Sequence, residues 1–222
     1  MLCETMEIRW FFETPGRRQA LEMLRRASGF DAAAEESRTD RYLRLPFSDG
    51  IGIKLRENRL EHKWLLRHLP GVETDPPLNR FGCWRKWSVA RGEETGAPPP
   101  DDWLPVRKQR RTSPWTWSEG CARPLPGITK RATRCDVEVA RVEIEQPDAA
   151  DPRPSWTLCF ESEGPDRRAL LESVLEIFLD HGLGEVLDQT EPTDYPAWLR
   201  LKESASGTMV ARPNTSPPPI FP

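Results

Sequence analysis

The sequence predicts an α+β protein: an antiparallel, tunnel-like β-barrel with flanking helices. Three observations carry that expectation. Much of the chain alternates with period two, as in the hairpin GIGIKLRENRLEHKWL (50–65). Across at least four such strands one face is apolar while the other mixes carboxylates with Lys and Arg. Helical spacing appears early and near the end, with strands between. Closing the strands into a barrel hides their edges and leaves apolar faces outward for helices to cover.

Taken in order, TMEIRWFF (5–12) alternates as a first strand. Thr14 and Pro15 resemble an N-cap and first helical position; Ala20, Leu21, Leu24 and Ala27 follow at helical spacing, and Gly29 stops the run. RYLRLPF (41–47) reads as a second strand. The 50–65 hairpin turns at Glu57, Asn58 and Arg59. Residues 70–80 and 92–105 read as loops, the second because its prolines lack donors. CWRKWSVA (83–90), PVRKQRRT (105–112), TRCDVEVARVEIE (133–145) and SWTLCFESE (155–163) are the remaining strands. PDRRALLESVLEIFLDHG carries one apolar stripe, Leu170, Leu171, Val174, Leu175 and Phe178, ended by Gly182. A short segment around 195–201 follows. One domain over 1–203 is expected, with a disordered Pro-rich tail over 204–222.

Composition narrows the classes. The chain of 222 residues is 37% apolar and has a net charge of −3, from 32 basic and 35 acidic side chains. That balance excludes a generally basic nucleic-acid coat but not a local basic patch. Five widely spaced Cys with no C-x-x-C pair argue against a disulfide framework or a zinc knuckle and fit a reducing compartment. With no basic-then-apolar leader and no long apolar run, a soluble cytoplasmic protein is expected, without membrane partners. The three His are dispersed and have no Cys or Ser partner, so a nucleophilic triad is not expected, and there is no Gly-rich phosphate loop.

The charged strand faces admit two readings. They are a solvated surface with cross-strand ion pairs worth ~0.2–1 kcal/mol each, or the lining of an anion site. In the second, Arg and Lys hold phosphate oxygens by charge-assisted bonds, and paired carboxylates hold a hard cation such as Mg²⁺ or Mn²⁺.

The order of the pieces resembles the CYTH family, the triphosphate tunnel metalloenzymes. EIRWFF stands where the family has a Glu-x-Glu-x-Lys strand, and DRYLRLP is similar to its segment built around a Tyr. IGIKLRENRLEHKWL resembles a Leu-Arg-x-Arg strand followed by a Thr-x-Lys strand, VRKQRRT a Lys-x-Arg strand, CFESEGPDRRALLE a late Glu-x-Glu strand and helix, and TDYPAWL a closing segment. The resemblance implies that Lys54, Arg56, Lys63, Lys108 and Arg110 hold phosphates, and that Glu7, Glu138, Glu161 and Glu163 hold Mg²⁺ or Mn²⁺. It implies a phosphorylated small molecule or polyphosphate as ligand, and metal-dependent phosphohydrolase activity. The first motif departs from the pattern: Arg9 replaces the second Glu and Phe11 the Lys, so metal binding and hydrolysis are expected to suffer before anion binding does.

The alternative is a non-catalytic binding module for polyphosphate, nucleotide or single-stranded nucleic acid. For the last, residues 80–117 interleave basic side chains with Phe81, Trp84, Trp87, Trp103, Trp115 and Trp117, a composition that suits base stacking. Packing against a helix explains alternating Trp as well.

Overall fold

A computed structural model describes residues 2–12, 19–24, 26, 35–45, 48–72, 78–90, 102–125, 133–145, 154–187 and 190–205. The described strands are β1 (Leu2–Phe12), β2 (Glu36–Leu43), β3 (Ile51–Arg56), β4 (Arg59–Val72), β5 (Leu78–Ala90), β6 (Trp103–Ser118), β7 (Cys121–Pro124), β8 (Arg134–Ile144) and β9 (Ser155–Glu163). The helices are α1 (residues 19–24), α2 (Arg167–Asp180), α3 (Leu183–Leu187) and α4 (Tyr195–Ala205).

Every pairing is antiparallel, in the order β2-β3-β4-β5-β1-β9-β8-β6-β7, and β2 also pairs with β6. The β2–β6 ladder, from Glu36↔Arg110 to Leu43↔Trp103, closes eight strands into a barrel, and β7 extends β6 as a hairpin. Closure leaves two opposite requirements for burial. The outward faces of β1, β8 and β9 supply Met6, Ile8, Trp10, Val137, Val139, Leu158 and Phe160, which pack under α1, α2 and α3. The stripe anticipated on α2, Leu170 to Phe178, is buried in that layer. Phe178 meets Phe160 edge-on at 5.1 Å and Trp115 at 5.5 Å.

The inward faces are polar apart from Trp84, on the Glu7 side of β5, and one end of the barrel. There Phe11, Tyr42, Val106, Ala140 and Val142 meet Tyr195, Trp198 and Leu199 of α4. Phe11 stacks on Trp198 at 4.6 Å, and Tyr42 stacks on Tyr195 at 4.9 Å. Helix α4 therefore closes one end of the barrel, at the position of the short segment 195–201.

Several boundaries differ from expectation. β2 begins at Glu36 rather than Arg41, because ESRTD has poor strand propensity and is held by its ladder to β6. β4 runs to Val72 past Pro70, and β6 runs to Ser118 through Pro105 and Pro114. β7 and α3 were not anticipated. The 57–58 turn has positive φ at both Glu57 (44°) and Asn58 (59°), the backbone of a two-residue hairpin turn whose twist matches the strands. Thr14, Pro15, Gly29 and the tail beyond Ala205 lie outside the described residues. Among the described residues no helix is long and apolar enough to cross a membrane.

Candidate functional site: a cation-rich tunnel

The barrel interior holds a cavity of about 520 Å³, floored by α4 through Tyr195 and Pro196. Among the described residues nine basic side chains line it against four acidic ones, so this lining carries a surplus of positive charge. Strand alternation puts them there: Glu7 and Arg9 from β1, Arg38 from β2, Lys54 and Arg56 from β3, Arg59, Glu61 and Lys63 from β4, Lys86 from β5, Lys108 and Arg110 from β6, Glu138 from β8 and Glu161 from β9. All five anticipated basic residues, Lys54, Arg56, Lys63, Lys108 and Arg110, face this one cavity. So do Glu7, Glu138 and Glu161. Glu163 does not; it is exposed at the end of β9, beside a shallow outer cleft with Glu4 and Arg167.

Two clusters organise the tunnel. In the first, the like charges Glu7 and Glu161 sit directly opposite on β1 and β9, an arrangement that destabilises unless neutralised. Lys63 bridges them, in contact with Glu7 and 3.3 Å from Glu161, and lies over the Trp84 ring at 4.8 Å. Lys86 also contacts Glu161, and Thr5 donates to it at 3.1 Å. Burial would raise the Glu161 carboxyl, but Lys63 and Lys86 hold it well below the usual carboxylate range. The same carboxylates, outweighing burial, push the Lys63 ammonium above its ordinary value. Arg9 donates to Glu7 at 3.0 Å, to Glu138 at 3.3 Å and to Thr157 at 3.1 Å. Glu138 also accepts from Arg110 at 3.0 Å. Burial raises its carboxyl, yet Arg9, Lys108 and Arg110 bring it down to about 2.

The second cluster lies on the floor, around fully buried Asp40. Lys54 and Lys108 approach the same Asp40 oxygen at 3.2 and 3.3 Å, and Arg38 reaches the other at 3.1 Å. Lys108 donates to the Tyr42 hydroxyl at 2.6 Å and sits over the Tyr195 ring at 4.2 Å. Desolvation, then Lys54, lowers the Lys108 ammonium to about 7 despite Asp40. Burial raises both tyrosine hydroxyls, so both stay protonated.

Sequence reading missed Arg38, Asp40 and Lys86. Arg38, Asp40 and Tyr42 alternate on one face of SRTDRYL, a signal hidden when the strand is taken to start at Arg41. Lys86 alternates with Trp84 and Ser88, but its segment read as aromatic packing. Of the aromatic residues in that segment, Trp84 and Trp115 are 0% and 1% exposed and explained by packing, whereas Trp87 is 39% exposed and lines the cavity.

No protein-family model and no curated protein sequence matches the chain. Among solved structures it is similar to the RNA triphosphatase Pct1 of S. pombe. In the complex with the Spt5 CTD the identity is 9%, over 92% of this chain and 85% of that one, with a TM-score of 0.37. For Pct1 alone the identity is 10%, over 92% and 84%, with a TM-score of 0.36. At that distance nothing about ligand or reaction transfers.

Proposed function

We propose that the tunnel binds a triphosphate or a closely related polyanion, as a binding module rather than as a metal-dependent hydrolase. The observation that carries this reading is the surplus of basic side chains, from six strands, around one cavity closed at its floor. A low-dielectric cleft lined by one sign of charge focuses its field and concentrates counter-ions. Protein carboxylates neutralise part of the lining and leave the remainder for a ligand. Arg56, which makes no ion pair among the described residues, and Arg59, which donates to Ser88 at 2.9 Å, would meet that ligand first. Guanidinium groups can hold two phosphate oxygens each, and Lys54 and Lys108 offer ammonium groups deeper in.

The hydrolase that the resemblance implies would need Mg²⁺ or Mn²⁺ held by Glu7, Glu138 and Glu161. These residues do not fit such an ion as they stand. Both oxygens of Glu7 and both of Glu138 are engaged by Arg9, Lys63 or Arg110. Among the described residues no three acidic, His or Cys side chains gather as a metal site. No catalytic step is assigned to the tunnel.

Calorimetry and thermal unfolding with tripolyphosphate test the reading. The native state should bind the anion and its melting temperature should rise. Arg56→Ala should weaken binding about tenfold or more, the worth of one charge-assisted contact at ~1.5–3 kcal/mol. Absence of binding overturns the proposal.

A further inference from the structure

We propose that Arg9 is a built-in cation standing in place of a divalent metal between Glu7 and Glu138, so that the tunnel takes its polyanion in metal-free form. The second half rests on the polyanion reading; the first does not.

The geometry is that of a fixed bridge. Glu7 is on β1 and Glu138 on β8, with β9 between them. Arg9 reaches across β9, its Nε on Glu7 and its Nη1 on both Glu138 and Thr157. Its guanidinium carbon Cζ lies 5.5 Å from the Tyr195 ring centroid, and its side chain is 10% exposed. The far oxygen of Glu7 takes Lys63 and the far oxygen of Glu138 takes Arg110. Each carboxylate is therefore clamped between two cations, with Arg9 common to both.

A hard divalent ion needs about six oxygen ligands. To enter here it would have to displace the shared guanidinium, whose charge persists at any accessible pH, and then face Lys63 and Arg110. Stability alone gives little reason for such a cluster, because desolvating the charges offsets most of their attraction. A permanent cation does have a use: it neutralises the carboxylates without an ion that could leave, and the polyanion then meets basic side chains directly.

The test uses Mn²⁺ as probe, by calorimetry and by the electron paramagnetic resonance signal of free Mn²⁺, on the full chain. Wild-type protein should leave the Mn²⁺ signal unchanged and should bind tripolyphosphate in the presence of a chelator. Arg9→Glu, which adds a carboxylate where the guanidinium was, should gain a Mn²⁺ site of at least tenfold higher affinity than wild type. Stoichiometric Mn²⁺ binding by wild type, or tripolyphosphate binding that needs metal, overturns the proposal. So does a folded Arg9→Glu protein that gains no Mn²⁺ affinity. If Arg9→Glu does not fold, Arg9→Gln decides: a tenfold gain supports the proposal and no gain refutes it. If tripolyphosphate binds under no condition, the polyanion reading fails, while the Mn²⁺ titrations still judge Arg9.

Discussion

Two interiors share one sheet. The layer under α1, α2 and α3 is built from apolar side chains on the outward strand faces. The tunnel, on the inward faces of the same strands, buries Glu7, Asp40 and Lys108. The outer layer is stabilised by area removed from water, which needs no partner geometry. The tunnel is held by ion pairs whose attraction is largely cancelled by desolvation. The outer layer is therefore where stability resides, and the tunnel is where charge is concentrated.

The largest test of that contrast is Leu171→Asp in α2. Leu171 is fully buried, so an unpaired carboxylate there should cost about 4 kcal/mol or more. Denaturant unfolding would measure it, and near-wild-type stability would show that α2 does not support the barrel. Next comes Trp198→Ala in the floor. Truncating a buried Trp should cost roughly 3–5 kcal/mol, and it should also weaken tripolyphosphate binding because Trp198 stacks on Phe11 beneath the cavity. Loss of stability without loss of affinity would separate floor from tunnel.

Arg56→Ala sharpens the difference from the other side. Its stability should stay within ~0.5 kcal/mol of wild type, or rise as like charges are relieved, while affinity drops. A variant that instead loses both would mean the basic lining holds the fold together.

The last test is pH, and its two signs are opposed. Folding lowers the Lys108 ammonium from 10.5 to about 7. Between those values the unfolded chain binds the extra proton, so the Lys108 contribution to stability grows with rising pH. Anion affinity should fall over the start of the same window, as the folded protein loses a positive charge at the tunnel floor. Melting curves and calorimetry from pH 6 to 9 would read both, and Lys108→Met should flatten both.

Much of this was legible locally. The period-two alternation of IGIKLR and RLEHKW put Lys54, Arg56 and Lys63 on one face, and KQR did the same for Lys108 and Arg110. The stripe on α2 was equally plain, since five apolar residues at helical spacing leave one face to bury. Asp40 was not legible, because a charged residue in ESRTD lowers strand propensity and only the ladder to β6 makes that segment a strand. Nor was Glu163: alternation put it on the face of Glu161, but it is the last residue of β9 and is exposed.

By itself, the sequence determined which residues share a strand face and which side of each strand is apolar, because side-chain direction follows from backbone period alone. Only tertiary structure decided that the polar faces converge, through the β2–β6 closure, and that α4 stops one end. It also decided what the carboxylates do. Glu7 and Glu138 look like metal ligands along the chain, but across the barrel they meet Arg9, Lys63 and Arg110. Which charges neutralise one another depends on distances between strands far apart in sequence, and no local pattern encodes those.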